Sequence, residues 1–185
     1  RLWEGLQARR FPTKIAAPHP FPTPPPIPTL SDMRNKPGYQ TLRQGRWSEA
    51  HRIYLLTTVT HRRQPLFSDW QPAWLMARNL ASSELWRPST LLCWVLMPDH
   101  WHGLVALGDG QSLSMLMNRV KGVSARRFNV GMTRVGVVWA EGFHDRALRR
   151  DDALVATARY VVANPIRAGL VERVGDYPFW DACWI

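Results

Sequence analysis

The stretch Leu91-Leu92-Cys93-Trp94-Val95-Leu96-Met97-Pro98-Asp99-His100-Trp101-His102-Gly103-Leu104-Val105-Ala106-Leu107 is two apolar runs joined at Pro98-Asp99. Proline presets a turn conformation and withholds a backbone donor, and aspartate favours turns. The stretch therefore predicts two antiparallel strands, Leu91–Met97 and Trp101–Leu107, joined by a tight turn. Gly108-Asp109-Gly110 ends the second strand. Side chains alternate along a strand, so His100 and His102 face one side and could share one metal ion. Two half-exposed histidines on a strand edge satisfy the same spacing. A metal site needs at least one more ligand.

Outward from this hairpin the pattern alternates between strand and helix. Ile53 to Thr60 is β-branched and aromatic and predicts a strand. Gln71 to Leu85 is rich in Ala, Leu and Trp and predicts a helix, with Ser68 or Asp69 as its cap. Ser112 to Phe128 predicts an amphipathic helix with Leu113, Leu116, Val120 and Val123 as its apolar stripe. Val137–Trp139 and Phe143–Leu148 predict two short strands or one interrupted strand. Asp151 or Asp152 would cap a last helix that runs to Asn164, where Pro165 ends it. The order β-α-β-β-α-β-α implies an α+β fold, an antiparallel sheet with helices on one face, close to the ferredoxin-like split βαβ arrangement.

The chain of 185 residues is 45% apolar, enough for one domain with a real core. Residues 11–30 hold eight prolines and are expected to be extended or disordered. The expected organisation is a proline-rich extension over residues 1–44 and a folded domain over 45–185. The first residue is Arg1, which suggests a fragment or a misplaced start, and Met33 could be the natural start of the folded part. Two cysteines, Cys93 and Cys183, make no disulfide framework, which points to a reducing cytoplasm. No apolar run approaches the ~20 residues of a membrane span.

The net charge is +10. Between Gln111 and Arg150, Arg119, Lys121, Arg126, Arg127, Arg134, Arg146, Arg149 and Arg150 face only Glu141 and Asp145. Such a local imbalance favours a polyanion such as nucleic acid, and arginine matches phosphate through its planar fork. For any single arginine, a solvated surface charge is the plainer explanation.

On the last predicted helix, Tyr160 and Asn164 stand four residues apart and share a face. A helix-ending Asn before Pro165 and a surface tyrosine would look the same. Taken with the strand, however, His100, His102 and Asn164 make a three-ligand set with open positions. Neutral N and O ligands suit Mg²⁺ or Mn²⁺, and thiolates are absent nearby. A divalent ion can polarise a phosphodiester, and a phenolate beside it can attack phosphorus.

With these residues in view, the chain resembles the REP-associated tyrosine transposases, relatives of the single-tyrosine, single-strand insertion-sequence transposases. The resemblance is carried by the HUH motif in Met97-Pro98-Asp99-His100-Trp101-His102, by Phe143-His144-Asp145-Arg146, by Tyr160, by Asn164-Pro165-Ile166-Arg167-Ala168-Gly169-Leu170-Val171, and by Gly175-Asp176-Tyr177-Pro178-Phe179-Trp180-Asp181. It runs from about Gly45 to Ile185. It implies a ferredoxin-like HUH endonuclease fold, His100 and His102 as metal ligands, and Tyr160 as nucleophile. Asn164 stands where the insertion-sequence relatives carry a Gln ligand. The implied substrate is single-stranded DNA folded as a REP-type hairpin, cut through a 5′-phosphotyrosine intermediate with release of a 3′-OH. The link conserves the phosphoester, so rejoining needs no ATP.

Arg119, Lys121, Arg126 and Arg127 are then expected to track the hairpin backbone, and Arg146, Arg149 and Arg150 to contact the scissile strand. Asp99 reads as a turn residue and His144 as structural or near DNA. Tyr54 and Tyr177 rank below Tyr160 as nucleophiles, and Trp47 and Trp70 read as core tryptophans that could also stack on bases. The protein is expected to act in the bacterial cytoplasm at the nucleoid, as a monomer or homodimer. Two other function classes are compatible with parts of the sequence. One is a non-cleaving binder or regulator of structured nucleic acid; the other is a zinc hydrolase, which the missing HExxH run disfavours.

Overall fold

The computed structural model describes residues 48–148 and 154–184. The proline-rich extension, Met33, Trp47, Arg149, Arg150 and the cap positions Asp151 and Asp152 lie outside the described residues. Strands β1 (Ile53–Val59), β2 (Thr90–Met97), β3 (His100–Ala106), β4 (His144–Ala147) and β5 (Trp180–Ala182) form one antiparallel sheet in the order β4-β1-β3-β2-β5. Helices α1 (Trp70–Leu80), α2 (Ser83–Trp86), α3 (Leu113–Gly131), α4 (Leu154–Val162) and α5 (Asn164–Arg167) complete it. The α+β antiparallel architecture is the one the sequence predicts, but the helices lie on both faces of the sheet and not on one.

The histidine hairpin forms as expected, with Pro98 and Asp99 as its turn and Met97 opposite His100. β3 lies at the centre of the sheet, paired with β1 on one side and β2 on the other. Alternation then splits its residues between two layers. Trp101, Gly103 and Val105 point to one face; His100, His102 and Leu104 point to the other. Trp101 is fully buried and stacks on Trp86 of α2, with centroids 5.3 Å apart. Such an aromatic pair contributes about 1 kcal/mol beyond its area. α1, α2 and α3 pack together on this face. On the histidine face, α4 packs against β2 and β3, and Cys93 Sγ reaches the Ala158 carbonyl at 3.7 Å. The sheet is therefore covered on both sides along β2, where Cys93 through Met97 are all buried.

Three elements differ from the sequence expectation. The predicted helix over Gln71–Leu85 breaks after Leu80, because Trp86 turns back and donates its indole N–H to the Leu80 carbonyl at 2.6 Å. That bond satisfies a carbonyl at the end of α1 and frees the ring to meet Trp101. Asp69 occupies the cap position of α1 with no side-chain hydrogen bond, whereas Ser112 caps α3 by accepting from Met115 N at 3.2 Å. Val137–Trp139 is not a strand. Trp139 makes one isolated bridge to Thr60 and is held by its indole on Ser124 Oγ at 3.0 Å. Finally, β5 is an edge strand of three residues, too short for a period-2 signal. Among the described residues no helix is long and apolar enough to cross a membrane.

Candidate active site

Cross-strand partners share a face, so the ladder places side chains in rows. One row runs His144, Thr57, His102, Val95 and Trp180 from β4 to β5. The next begins Arg146, Leu55, Leu104 and Cys93. His100 sits beyond the first row, between Val59 and Met97. The rings of His100 and His102 lie 4.7 Å apart, edge to face.

Each imidazole has a partner on Nδ1. His102 Nδ1 lies 2.7 Å from Thr57 Oγ1. His100 Nδ1 meets the Asp99 carboxylate, whose second oxygen accepts from Arg63 Nη1 at 3.0 Å. A carboxylate only accepts, so this contact puts a proton on His100 Nδ1, and in the neutral imidazole the lone pair is then on Nε2. An Nδ1–H donated to Thr57 frees Nε2 of His102 in the same way. This is how metal-binding histidines are commonly oriented. Burial, reinforced by the neighbouring His100, pushes the His102 pKa down to about 3, against an opposing pull from Asp99. Burial alone would raise Asp99, but the hydrogen bonds and charges of His100 and Arg63 outweigh it and hold its carboxyl below the ordinary value. Asp99, read from sequence as a turn residue, is thus also a charged partner of His100. An Asp immediately before an HxH pair was the available signal.

The turn that brings Arg63 to Asp99 is strained. Arg62 and Arg63 have φ of 55° and 52°, the left-handed region that non-glycine residues avoid. Thr60 anchors this turn to the hairpin, its N–H donating to the Asp99 carbonyl at 2.8 Å and its hydroxyl lying 3.0 Å from the same oxygen.

Tyr160 lies on α4, 52% exposed, while Ala158, Val161 and Val162 bury the opposite side of the helix. The sequence predicts that this helix runs to Asn164 and stops at Pro165. Instead α4 ends at Val162, and Asn164-Pro165 opens the short helix α5. Proline is tolerated in a first helical turn, where its missing N–H has no partner to lose. Asn164 Nδ2 donates to the carbonyls of Tyr160 at 3.2 Å and Val161 at 2.8 Å. The amide oxygen is not used by these bonds and remains the atom that could ligate a cation. Among the described residues no three His, Cys, Asp or Glu side chains gather as a metal group. Arg167 of α5 carries its guanidinium carbon 4.2 Å from the Tyr160 ring centroid; nothing in the spacing singled it out.

The other tyrosines in the described region are buried. Tyr54 Oη accepts from Glu49 N at 2.9 Å, and Tyr177 Oη donates to the Leu96 carbonyl at 2.7 Å. Burial raises the Tyr177 phenol well above its ordinary value. Trp70 is 37% exposed and rests on Phe179.

The basic residues divide. Lys121 Nζ spans the carbonyls of Ala140 and Gly142, both at 2.6 Å, and burial lowers its pKa. Arg119 reaches the carbonyls of Leu85 and Arg87 and ties α3 to the end of α2. Arg126 and Arg127 are exposed on α3, in the layer away from the histidines. Arg146 and His144 are exposed on β4, on the histidine face.

The family described as Transposase IS200 like matches residues 50–164, a span that includes the histidine hairpin and extends through Tyr160 to Asn164. A REP-associated tyrosine transposase of Escherichia coli (strain K12) is 27% identical over 96 residues, 50% of this chain and 54% of the relative. The chain thus spans about half the length of that curated relative. A solved structure of a REP-associated tyrosine transposase bound to a REP hairpin is similar in fold, with TM-score 0.59 and 23% identity over 74% of this chain and 79% of that one. With its antiparallel sheet, its histidine hairpin and the helix of Tyr160 on the same face, this chain belongs to the IS200-like transposase family.

Proposed function

We propose that this protein is a divalent-cation-dependent endonuclease and strand transferase for single-stranded DNA, acting at REP-type hairpins through a covalent link to Tyr160. The observation that carries the reading is the paired orientation of His100 and His102, each engaged at Nδ1 and each with Nε2 left for a ligand. The exposed phenol of Tyr160 on the helix that packs over the same sheet face supports it. The hairpin substrate is suggested by the named partner of the structural relative.

His100, His102 and the Asn164 amide oxygen would hold Mg²⁺ or Mn²⁺. The bound cation would act as a Lewis acid toward a phosphodiester oxygen. Tyr160 Oη forms a bond to phosphorus while the bond to the 3′-oxygen breaks. That oxygen leaves with its electron pair and takes up the proton lost by the phenol. The product is a 5′-phosphotyrosine and a free 3′-OH, and the reverse attack rejoins a strand. Arg146, and Arg149 and Arg150 beyond it, would meet the scissile strand; Arg126 and Arg127 would meet the hairpin backbone.

The test is incubation with a labelled REP-type hairpin and Mg²⁺ or Mn²⁺. A denaturant-resistant protein–DNA adduct is expected, absent with chelator and absent in Tyr160→Phe. An adduct that persists in Tyr160→Phe would remove Tyr160 as nucleophile. Tight hairpin binding with no adduct in the unaltered protein would make it a non-cleaving binder.

A further inference from the structure

Arg167 is the residue whose placement the reaction above leaves unexplained. Its guanidinium carbon lies 4.2 Å from the centroid of the Tyr160 ring. Among the described residues no ion pair includes Arg167. The approach is built rather than incidental. Asn164 Nδ2 fastens the α4–α5 junction to the Tyr160 and Val161 carbonyls, Pro165 is buried, and Arg167 N donates to the Ala163 carbonyl at 3.1 Å. Gly169, with φ of +68°, turns the chain away directly after α5. Tyr160 and Arg167, seven residues apart, are thus held in contact across the α4–α5 junction.

An exposed tyrosine on a helix otherwise exchanges among rotamers. A cation over the ring face restrains it, by about 0.5–1 kcal/mol at exposed sites. The guanidinium also keeps N–H donors at its edge, suited to the oxygens of a phosphoryl group. We propose that Arg167 clamps the Tyr160 ring and engages the phosphoryl group that Tyr160 takes on. This rests on Tyr160 being the nucleophile. The transferred phosphodiester carries one negative charge before and after the step and gathers more on its oxygens as the phenolate attacks, so Arg167 acts most strongly in between, and it neither gains nor loses a proton. It would act on both cleavage and rejoining.

The experiment compares unaltered protein with Arg167→Ala, Arg167→Lys and Tyr160→Phe in single-turnover adduct formation on a labelled REP-type hairpin with Mn²⁺. Hairpin affinity and thermal unfolding are measured beside it. Arg167→Ala is expected to slow adduct formation about 10-fold or more at saturating hairpin, with hairpin affinity and unfolding little changed. Guanidinium at sub-denaturing concentration should restore part of that rate in Arg167→Ala, with equal sodium chloride as control, and should do nothing for Tyr160→Phe. Arg167→Lys, which keeps charge without the fork, should fall between. Adduct formation at the unaltered rate in Arg167→Ala overturns the proposal, as does a loss that only tracks hairpin affinity or unfolding. Absence of adduct in the unaltered protein is a separate result: it removes the nucleophile reading and the role of Arg167 with it.

Discussion

Thr57 and His102 are Cα partners across β1 and β3, and the Thr57 hydroxyl lies 2.7 Å from His102 Nδ1. The contact is made by the ladder register itself, so it holds before any cation arrives. Thr57→Val keeps the β-branched shape and removes only the hydroxyl. The expected outcome is a loss of about 10-fold in Mn²⁺ affinity, read by titration calorimetry, with strand pairing intact. Unchanged affinity would show that Thr57 does not orient the imidazole.

Asp99 holds both His100 and Arg63, and its loss should be felt at both. Asp99→Ala leaves His100 without its Nδ1 partner and releases Arg63 from the strained turn. A fall of about 10-fold or more in Mn²⁺ affinity is expected. Asp99→Asn, which can still accept a hydrogen bond from His100, should retain more affinity than Asp99→Ala.

Acid should destabilise the cation-free protein. The His102 pKa is about 3 in the fold, against an ordinary value near 6.5. Between those values the unfolded chain binds a proton that the native imidazole refuses, so stability falls as pH drops below about 6.5, by up to about 1.4 kcal/mol per pH unit. Asp99, also held low, adds a loss in the same direction below about pH 4. Chemical denaturation between pH 7.5 and 4 with chelator present would measure the slope, and His102→Gln should flatten its upper part.

Gly103 is required by its neighbour two residues back. A Cβ built there would overlap the Trp101 ring and stand 3.2 Å from the Cys93 carbonyl. Trp101 is buried against Trp86 and has no room to withdraw. Gly103→Ala is expected to destabilise by about 1–3 kcal/mol in urea unfolding. An unaffected midpoint would mean that the indole can move.

The basic residues of α3 should separate by role. Arg126→Gln with Arg127→Gln should weaken hairpin binding and reduce the slope of log affinity against log salt by about 1–2. Lys121→Met should instead lower the unfolding midpoint, because its ammonium spans two carbonyls, and should leave that slope nearly unchanged.

The hairpin of β2 and β3, the strand β1 and the helix α3 were legible because each has a periodic apolar pattern or a turn signal of its own. The two histidines were legible for the same reason: two residues in a strand always share a face. What stayed hidden depends on contacts between distant segments. The break after Leu80 exists because Trp86 serves Leu80 and Trp101 together. The short strand β5 pairs only because β2 offers a free edge. Helix α5 begins where a proline ordinarily signals an end. Lys121 and Arg119 look in sequence like Arg126 and Arg127, and only the fold shows that their charges are engaged within it. The Arg63–Asp99–His100 chain joins residues 36 positions apart, which no local pattern encodes.

Trp101 stands between the two histidines in the chain and points away from them into the helical layer. The spacing of the imidazoles is therefore levelled from behind, as a shelf is by its bracket. Trp101 and Gly103 point to the face opposite the two imidazoles, so a substitution that displaces the indole is expected to tilt the strand that carries both rings. Substitutions at the rear of the sheet should consequently misalign the two imidazoles while leaving every residue at the front unchanged.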